Sequence, residues 1–228
     1  MVSAHGRESV ARKAAESEYR KTIALNPGLA IAHGGYSDMV RHLGRIEEGI
    51  AEAKLALEAD PLALQTNRML GEVYITARRY DLAIAQFQKG LDLHPNNSSL
   101  LYEMAWAYFY RGDSAKARET MLRSLSLEGV DPRLSPELAY MNALTGQPEE
   151  ARKTLGELLE LSKKYAISPG MIALIYIALD DREQSFAWLE KAYARHSDMM
   201  VWLKVDQRFD TIRPDPRFQD LMRRVGLI

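Results

Sequence analysis

The chain has 228 residues, with 30 lysines and arginines against 31 aspartates and glutamates and a formal net charge of −1 at pH 7. That balance offers no counterion-releasing surface for nucleic acid, and the lack of cysteine removes disulfides, thiol catalysis and thiolate metal sites. No apolar run reaches the ~18 residues of a membrane span and the first residues lack a signal-peptide core. A cytoplasmic protein with no cofactor, no nucleic-acid partner and no membrane partner is expected.

Residues 1–27 read as one helix, in which Tyr19, Thr22 and Ile23 keep the pattern of later segments. It is predicted to be the second helix of a partial first repeat or an N-terminal cap, in a chain cut from a longer protein. From Ala15, steps of 34 residues meet Gly49, Ala83, Ala117, Ala151 and Ser185, all small. The same step from Ile23 meets Leu57, Leu91, Leu125, Leu159 and Tyr193, all apolar, with no insertion in the series. Self-similarity at such a period marks a repeat architecture. Within one period, Met69, Leu70, Val73 and Tyr74 form one helical stripe, and Leu82, Ala83, Phe87 and Leu91 form another. Pro95 follows the second helix as a stop. Residues 28–197 thus read as five antiparallel helix pairs, with Gly71 and Ala83 allowing close backbone approach.

Residues 198–228 break the register. Asp215 before Pro216 reads as an N-cap with proline at the first helical position, and Gly226 as a stop. Phe218, Leu221, Met222 and Val225 fall on one stripe, so a helical C-terminal cap over the last repeat is predicted. Asp-x-Arg-Phe occurs twice here, at Asp206–Phe209 and Asp215–Phe218, and both copies are read as capping elements.

Asn67, Leu70, Gly71, Tyr74, Ala83, Phe87, Gly90 and Pro95 together resemble the tetratricopeptide repeat (TPR), with Asn67 where tryptophan is common. The resemblance covers about residues 8–197 and loosens later, where Asn142 replaces the tyrosine and Lys163 the proline. It implies an all-α, right-handed α-solenoid whose concave face is lined by the first helices. The tail resembles the C-terminal end of TPR segments in bacterial multidomain regulators, which implies a signalling or transcription setting. Chaperone-binding members of the family hold a carboxylate with a lysine and asparagine clamp. Those positions here carry Gly34, Asp38, Met69, Ser99 and Glu103, so that activity is not expected.

The stretch Leu101–Asp113 carries five aromatic residues. Leu101, Met104, Ala105 and Tyr108 fall toward the paired helix, while Tyr102, Trp106, Phe109 and Tyr110 make a second apolar face that needs its own burial. Phe109 is assigned to inter-repeat core. Tyr102, Trp106 and Tyr110 are predicted to face a groove, with Arg68, Glu72, Glu103 and Tyr140 beside them as partner-binding residues. The groove is expected to run from a mixed-charge end at Asp38, Arg41 and His42 to an apolar end at Leu174, Ile177 and Ala178, past Arg133 and Glu137. Aromatic anchors flanked by arginine and glutamate suit a peptide hot spot.

The expected function is a non-enzymatic interaction scaffold for a protein or peptide partner. The alternatives are a sensor enclosing a small peptide or metabolite, and a self-assembling homo-oligomer. The five histidines are dispersed, and no nucleophile elbow, phosphate loop or dinucleotide fingerprint occurs, so no catalytic or metal residue is assigned. Asp180-Asp181 is read as a turn and N-cap, and Arg78-Arg79 as a basic pair in a turn.

Overall fold

The computed structural model describes residues 4–228, with side chains from Arg12 onward. Twelve α-helices make up the fold, and no strand occurs among the described residues. Helix α1 (Ala4–Leu25) leads into the pairs α2 (Ala30–His42) with α3 (Ile46–Ala59), and α4 (Leu64–Thr76) with α5 (Tyr80–Leu93). Then come α6 (Ser98–Arg111) with α7 (Ser114–Glu128), α8 (Pro136–Leu144) with α9 (Pro148–Ser162), and α10 (Pro169–Ala178) with α11 (Arg182–Ala194). Helix α12 (Pro216–Arg224) closes the chain.

The second helices begin at Ile46, Tyr80, Ser114, Pro148 and Arg182, a constant step of 34. The turns before them obey the same step. Each holds one residue of positive φ: Gly44 (83°), Arg78 (58°), Gly112 (93°), Gly146 (81°) and Asp180 (57°). Glycine takes that conformation at no steric cost, whereas Arg78 and Asp180 hold it under strain.

The first helices keep the step only as far as Ser98. Helix α8 starts at Pro136, because Asp131 accepts from the Arg133 N–H and a single 3-10 turn, Pro132–Leu134, replaces the first α-turn. Ser135 then caps α8 by accepting from the Leu138 N–H. The register written in the small residues therefore belongs to the second helices, and the first helices of the last two pairs start late.

Close approach within a pair is clearest at Gly71. A Cβ there would stand 2.2 Å from Cε1 of Phe87, whose ring is fully buried. Only a bare backbone lets α4 and α5 pack at this depth. Tyr108, read as core, is half-buried, with the guanidinium of Arg111 5.1 Å from its ring centre.

The apolar stripe of α12 covers the last pair as the sequence predicts. Phe218, Leu221 and Met222 are buried, Arg217 lies 4.0 Å over the ring of Phe186, and Arg224 lies 4.6 Å over that of Tyr193. From α1, Arg12 donates to the carbonyls of Gly226 and of Val225, the latter at 2.9 Å. The two ends of the solenoid thus meet. Residues 198–215 do more than cap: they cross the face lined by the first helices.

Candidate functional site

Helix α6 stacks three of its aromatic residues at helical spacing. Trp106 lies 5.6 Å from Tyr110 in a stacked arrangement and meets Tyr102 edge-on at 6.3 Å, while Tyr140 of α8 approaches Trp106 edge-on at 5.7 Å. These were expected to wall an open trough. Trp106 and Tyr140 do not, at 4% and 5% exposed, while Tyr102 and Tyr110 are half-buried. Phe109 sits among them, 5.8 Å from Trp106 and 6.0 Å from Tyr140, in the core role assigned to it.

The cover is the chain's own residues 198–215, here called the strap. Arg208 lies over the Trp106 ring, 5.1 Å from its centre. Asp206 holds that guanidinium at 2.6 Å and accepts from the Arg208 backbone N–H at 2.9 Å. The hydroxyl of Tyr80 donates to Gln207 at 2.5 Å, and Arg78 pairs with Asp210. Further along, Trp202 packs beneath Arg41, 4.4 Å from its guanidinium carbon, and against His42 at 3.9 Å between ring centres. The supposed apolar end of the groove is filled too, since Leu174 and Ile177 are buried in one cluster with Met200, Leu203, Phe209 and Ile212.

The two Asp-x-Arg-Phe copies share one geometry. In the second, Asp215 accepts from the Arg217 N–H at 2.9 Å and pairs with its guanidinium at 2.9 Å, Arg217 stacks on Phe186, and Phe218 is fully buried. The aspartate fixes the guanidinium plane for stacking while the next residue anchors the turn. One copy caps α12 and packs it against α11, and the other fastens the strap to α6. The first was missed as a groove element because both copies read equally well as caps.

Between strap and first helices lies a partly open cavity of about 400 Å³, lined by Arg68, Glu72, Tyr102, Glu103, Trp106 and Tyr110 on one side and by Trp202 and Arg208 on the other. Six of the seven predicted site residues therefore meet at one place, with Tyr140 buried behind them. Arg133 does not join them: it sits 84% exposed on the 3-10 turn, paired with Asp131. The cavity's three arginines already have partners. Arg41 pairs with Asp38 and with Glu72 at 3.3 Å, Arg68 with Glu72, and Arg208 with Asp206. The remaining carboxyl, Glu103, has no hydrogen-bond or ion-pair partner among the described residues. Burial, reinforced by the charge of Glu72, pushes it up to about 8.

Beyond the Arg41–Glu72–Arg68 network, which both spaces touch, the N-terminal half of the face is open. There a groove of about 1000 Å³ runs between α1, α2 and α4, with Tyr19, Ile31 and Met69 on its walls. Its shape rests on two adjacent glycines of α2. A Cβ on Gly34 would come within 2.9 Å of Met69, and one on Gly35 within 2.7 Å of Tyr19. Ile31 is 79% exposed. Glu18, Asp38, Asp60 and Glu72 face this groove, Asp38 and Glu72 being engaged by Arg41 and Arg68. Sequence reading passed over it, although a mid-helix Gly-Gly pair is a signal of close approach.

A stack of antiparallel helix pairs presenting its first helices on one face defines an α-solenoid scaffold of the interaction class. Tetratricopeptide-repeat family models match residues 56–98, 86–119 and 170–195, so the chain carries tetratricopeptide repeats. It is similar to Hsp70-Hsp90 organizing protein 2 of Arabidopsis thaliana, 34% identical over 83 residues, which are 36% of this chain and 14% of that one. It is also similar to small glutamine-rich tetratricopeptide repeat-containing protein 2 of Mycosarcoma maydis, 28% identical over 43% of this chain and 29% of that one. The matched region thus spans a small part of these relatives. In fold it resembles TTC0263, a thermophilic TPR protein of Thermus thermophilus, at 18% identity over 83% of this chain and 97% of that one, with a TM-score of 0.58. Pseudomonas aeruginosa pilF resembles it at 17% identity over 95% and 91%, with a TM-score of 0.56. No helix among the described residues is long and apolar enough to cross a membrane.

Proposed function

We propose that this chain is a non-enzymatic scaffold that seats an extended segment of a partner protein in the open groove between α1, α2 and α4, with Arg68 and Glu72 at its inner end. The observation that carries this reading is the division of the concave face. The half nearer the C-terminus is filled by the strap, so a partner meets the chain where Ile31, Met69 and Tyr19 remain uncovered. Burying such apolar anchors supplies most of the affinity in interfaces of this kind. Asp38 and Glu72 are engaged by Arg41 and Arg68, which leaves Glu18 and Asp60 to favour a segment that combines apolar residues with lysine or arginine. An acidic chaperone tail does not fit, since Asp38 and Glu103 stand where a cationic clamp would be needed. The likeness of the tail to those of bacterial multidomain regulators supports a setting in signalling or transcription control, in the cytoplasm.

Selection from a random peptide-display library on the full chain tests the reading. Selected sequences are expected to be apolar with basic residues, and the Ile31→Glu and Met69→Glu changes to weaken them at least tenfold. Selection of acidic sequences, or of binders indifferent to both changes, refutes it.

A further inference from the structure

The cavity beneath the strap differs in chemistry from the groove between α1, α2 and α4, and its charge pattern identifies a ligand class. Three arginines and four carboxylates surround it. Arg41, Arg68 and Arg208 pair with Asp38, Glu72 and Asp206, with only Nε of Arg41 lacking an acceptor, and Glu103 is the one carboxyl of the lining with no partner among the described residues. A carboxyl with no partner of its own, in a cavity only partly open to water, is stabilised when a counter-charge arrives. The side chain is half-buried by surface, yet that residual surface looks into the cavity. Around it stand Tyr102, Trp106, Tyr110 and Trp202, an aromatic lining of the kind that attracts cations through ring quadrupoles, in which Arg208 already lies over Trp106 and Arg41 over Trp202. Among the described residues no three histidine, aspartate or glutamate side chains converge as a metal site, so a bare inorganic ion lacks ligands here. The volume of about 400 Å³ lies in the range of small-molecule pockets. Ile75 and Val205 supply apolar wall for a short hydrocarbon stem.

The geometry points to a binding site for a small organic cation, a primary amine or guanidine on a short aliphatic stem, with its charged head at the Glu103 carboxylate and its stem against Ile75 and Val205. Glu103 is protonated in the empty cavity at neutral pH, held so by burial and by Glu72, against the opposing pull of Arg41, Arg68 and Arg208. An arriving ammonium replaces that proton, so binding releases it to solvent. The strap supplies one wall of the cavity, and ligand binding therefore tightens it against α6. This site shares Asp38, Arg68 and Glu72 with the peptide groove, but Glu103 belongs to the cavity alone and Ile31 and Met69 to the groove alone, so changes at these residues test the two readings separately.

Isothermal titration of the full chain with 1,4-diaminobutane and agmatine, alongside the neutral butane-1,4-diol and the anionic butyrate, tests the assignment. Titrations at pH 7 in two buffers of different ionisation enthalpy count the protons. The cations are expected to bind, with release of up to about one proton per site, and the diol and butyrate to give no heat of binding. Glu103→Gln is expected to lose at least tenfold in amine affinity and all of the proton release. This change removes the ionisable proton while keeping the size and shape of the side chain, and circular dichroism confirms the fold. Absence of amine binding at millimolar concentration, equal binding by Glu103→Gln, or equal binding of butyrate overturns the proposal. So does binding of a lysine-containing peptide at Glu103 where free amines fail, which would assign the cavity to a partner's side chain.

Discussion

Replacing Arg208 by alanine tests whether the strap is part of the fold. The guanidinium is 16% exposed and its partner Asp206 is 10% exposed, so the pair is withdrawn from bulk water. Removing one member of such a pair leaves an uncompensated charge, which costs about 3–5 kcal/mol when burial is complete. Stacking on Trp106 adds about 1 kcal/mol. Residual solvent around the pair discounts the total to roughly 3 kcal/mol. In a chain of this length that lowers Tm by roughly 6–12 °C. Urea unfolding followed by circular dichroism measures it. The chain carries its own control, because Asp131 and Arg133 have the same local geometry on the surface, where Arg133 is 84% exposed. Arg133→Ala is expected to change stability by less than about 0.5 kcal/mol. The double change Asp206→Ala with Arg208→Ala is expected to cost less than the sum of its parts, since no orphaned carboxylate remains. Equal small effects at positions 133 and 208, or strict additivity in the double change, would refute the strap as a structural element.

Stability should depend on pH through Glu103. Its carboxyl is pushed from 4.5 to about 8 in the folded chain, so between those values the folded state holds a proton that the unfolded chain has released. Stability therefore falls as pH rises through that window and levels off above it, by at most roughly 4–5 kcal/mol and less where cavity water solvates the charge. Urea midpoints at pH 5, 7 and 9 should diverge from those of Glu103→Gln toward high pH, and parallel curves would contradict this. Gly71→Ala drives a methyl against the Phe87 ring and is expected to cost about 1–3 kcal/mol by thermal denaturation, whereas Gly156→Ala, with nothing within 4 Å on an exposed helix, should gain about 1 kcal/mol. Asp180→Gly relieves a left-handed side chain that is 91% exposed and should add about 1 kcal/mol, read as a rise in Tm.

The solenoid was written plainly in the sequence because its pairs are built from local spacing. Small residues at a step of 34 report directly where two helices touch, and Gly71 beneath Phe87 is that report made physical. Where local chemistry overrode the period, at Pro132 and Pro136, the late start of α8 escaped a count based on the second helices alone. Grouping Arg68, Glu72, Tyr102, Glu103, Trp106 and Tyr110 needed only helical periodicity. Their exposure was another matter. It depends on a contact between Trp106 and Arg208, about a hundred residues apart in sequence, and no period connects them. The repeated Asp-x-Arg-Phe was visible, but one copy caps a helix while the other crosses a groove, and only tertiary packing tells them apart.

Hydroxyl-radical footprinting of the intact chain, read residue by residue by mass spectrometry, addresses the divided concave face most directly. Trp106 and Tyr140 should be protected to the level of buried core, while Tyr19, Ile31 and Met69 in the N-terminal half should be modified, with exposed Tyr165 as the internal reference. Modification of Trp106 and Tyr140 at the rate of Tyr165 would show the strap away from the groove and contradict the account.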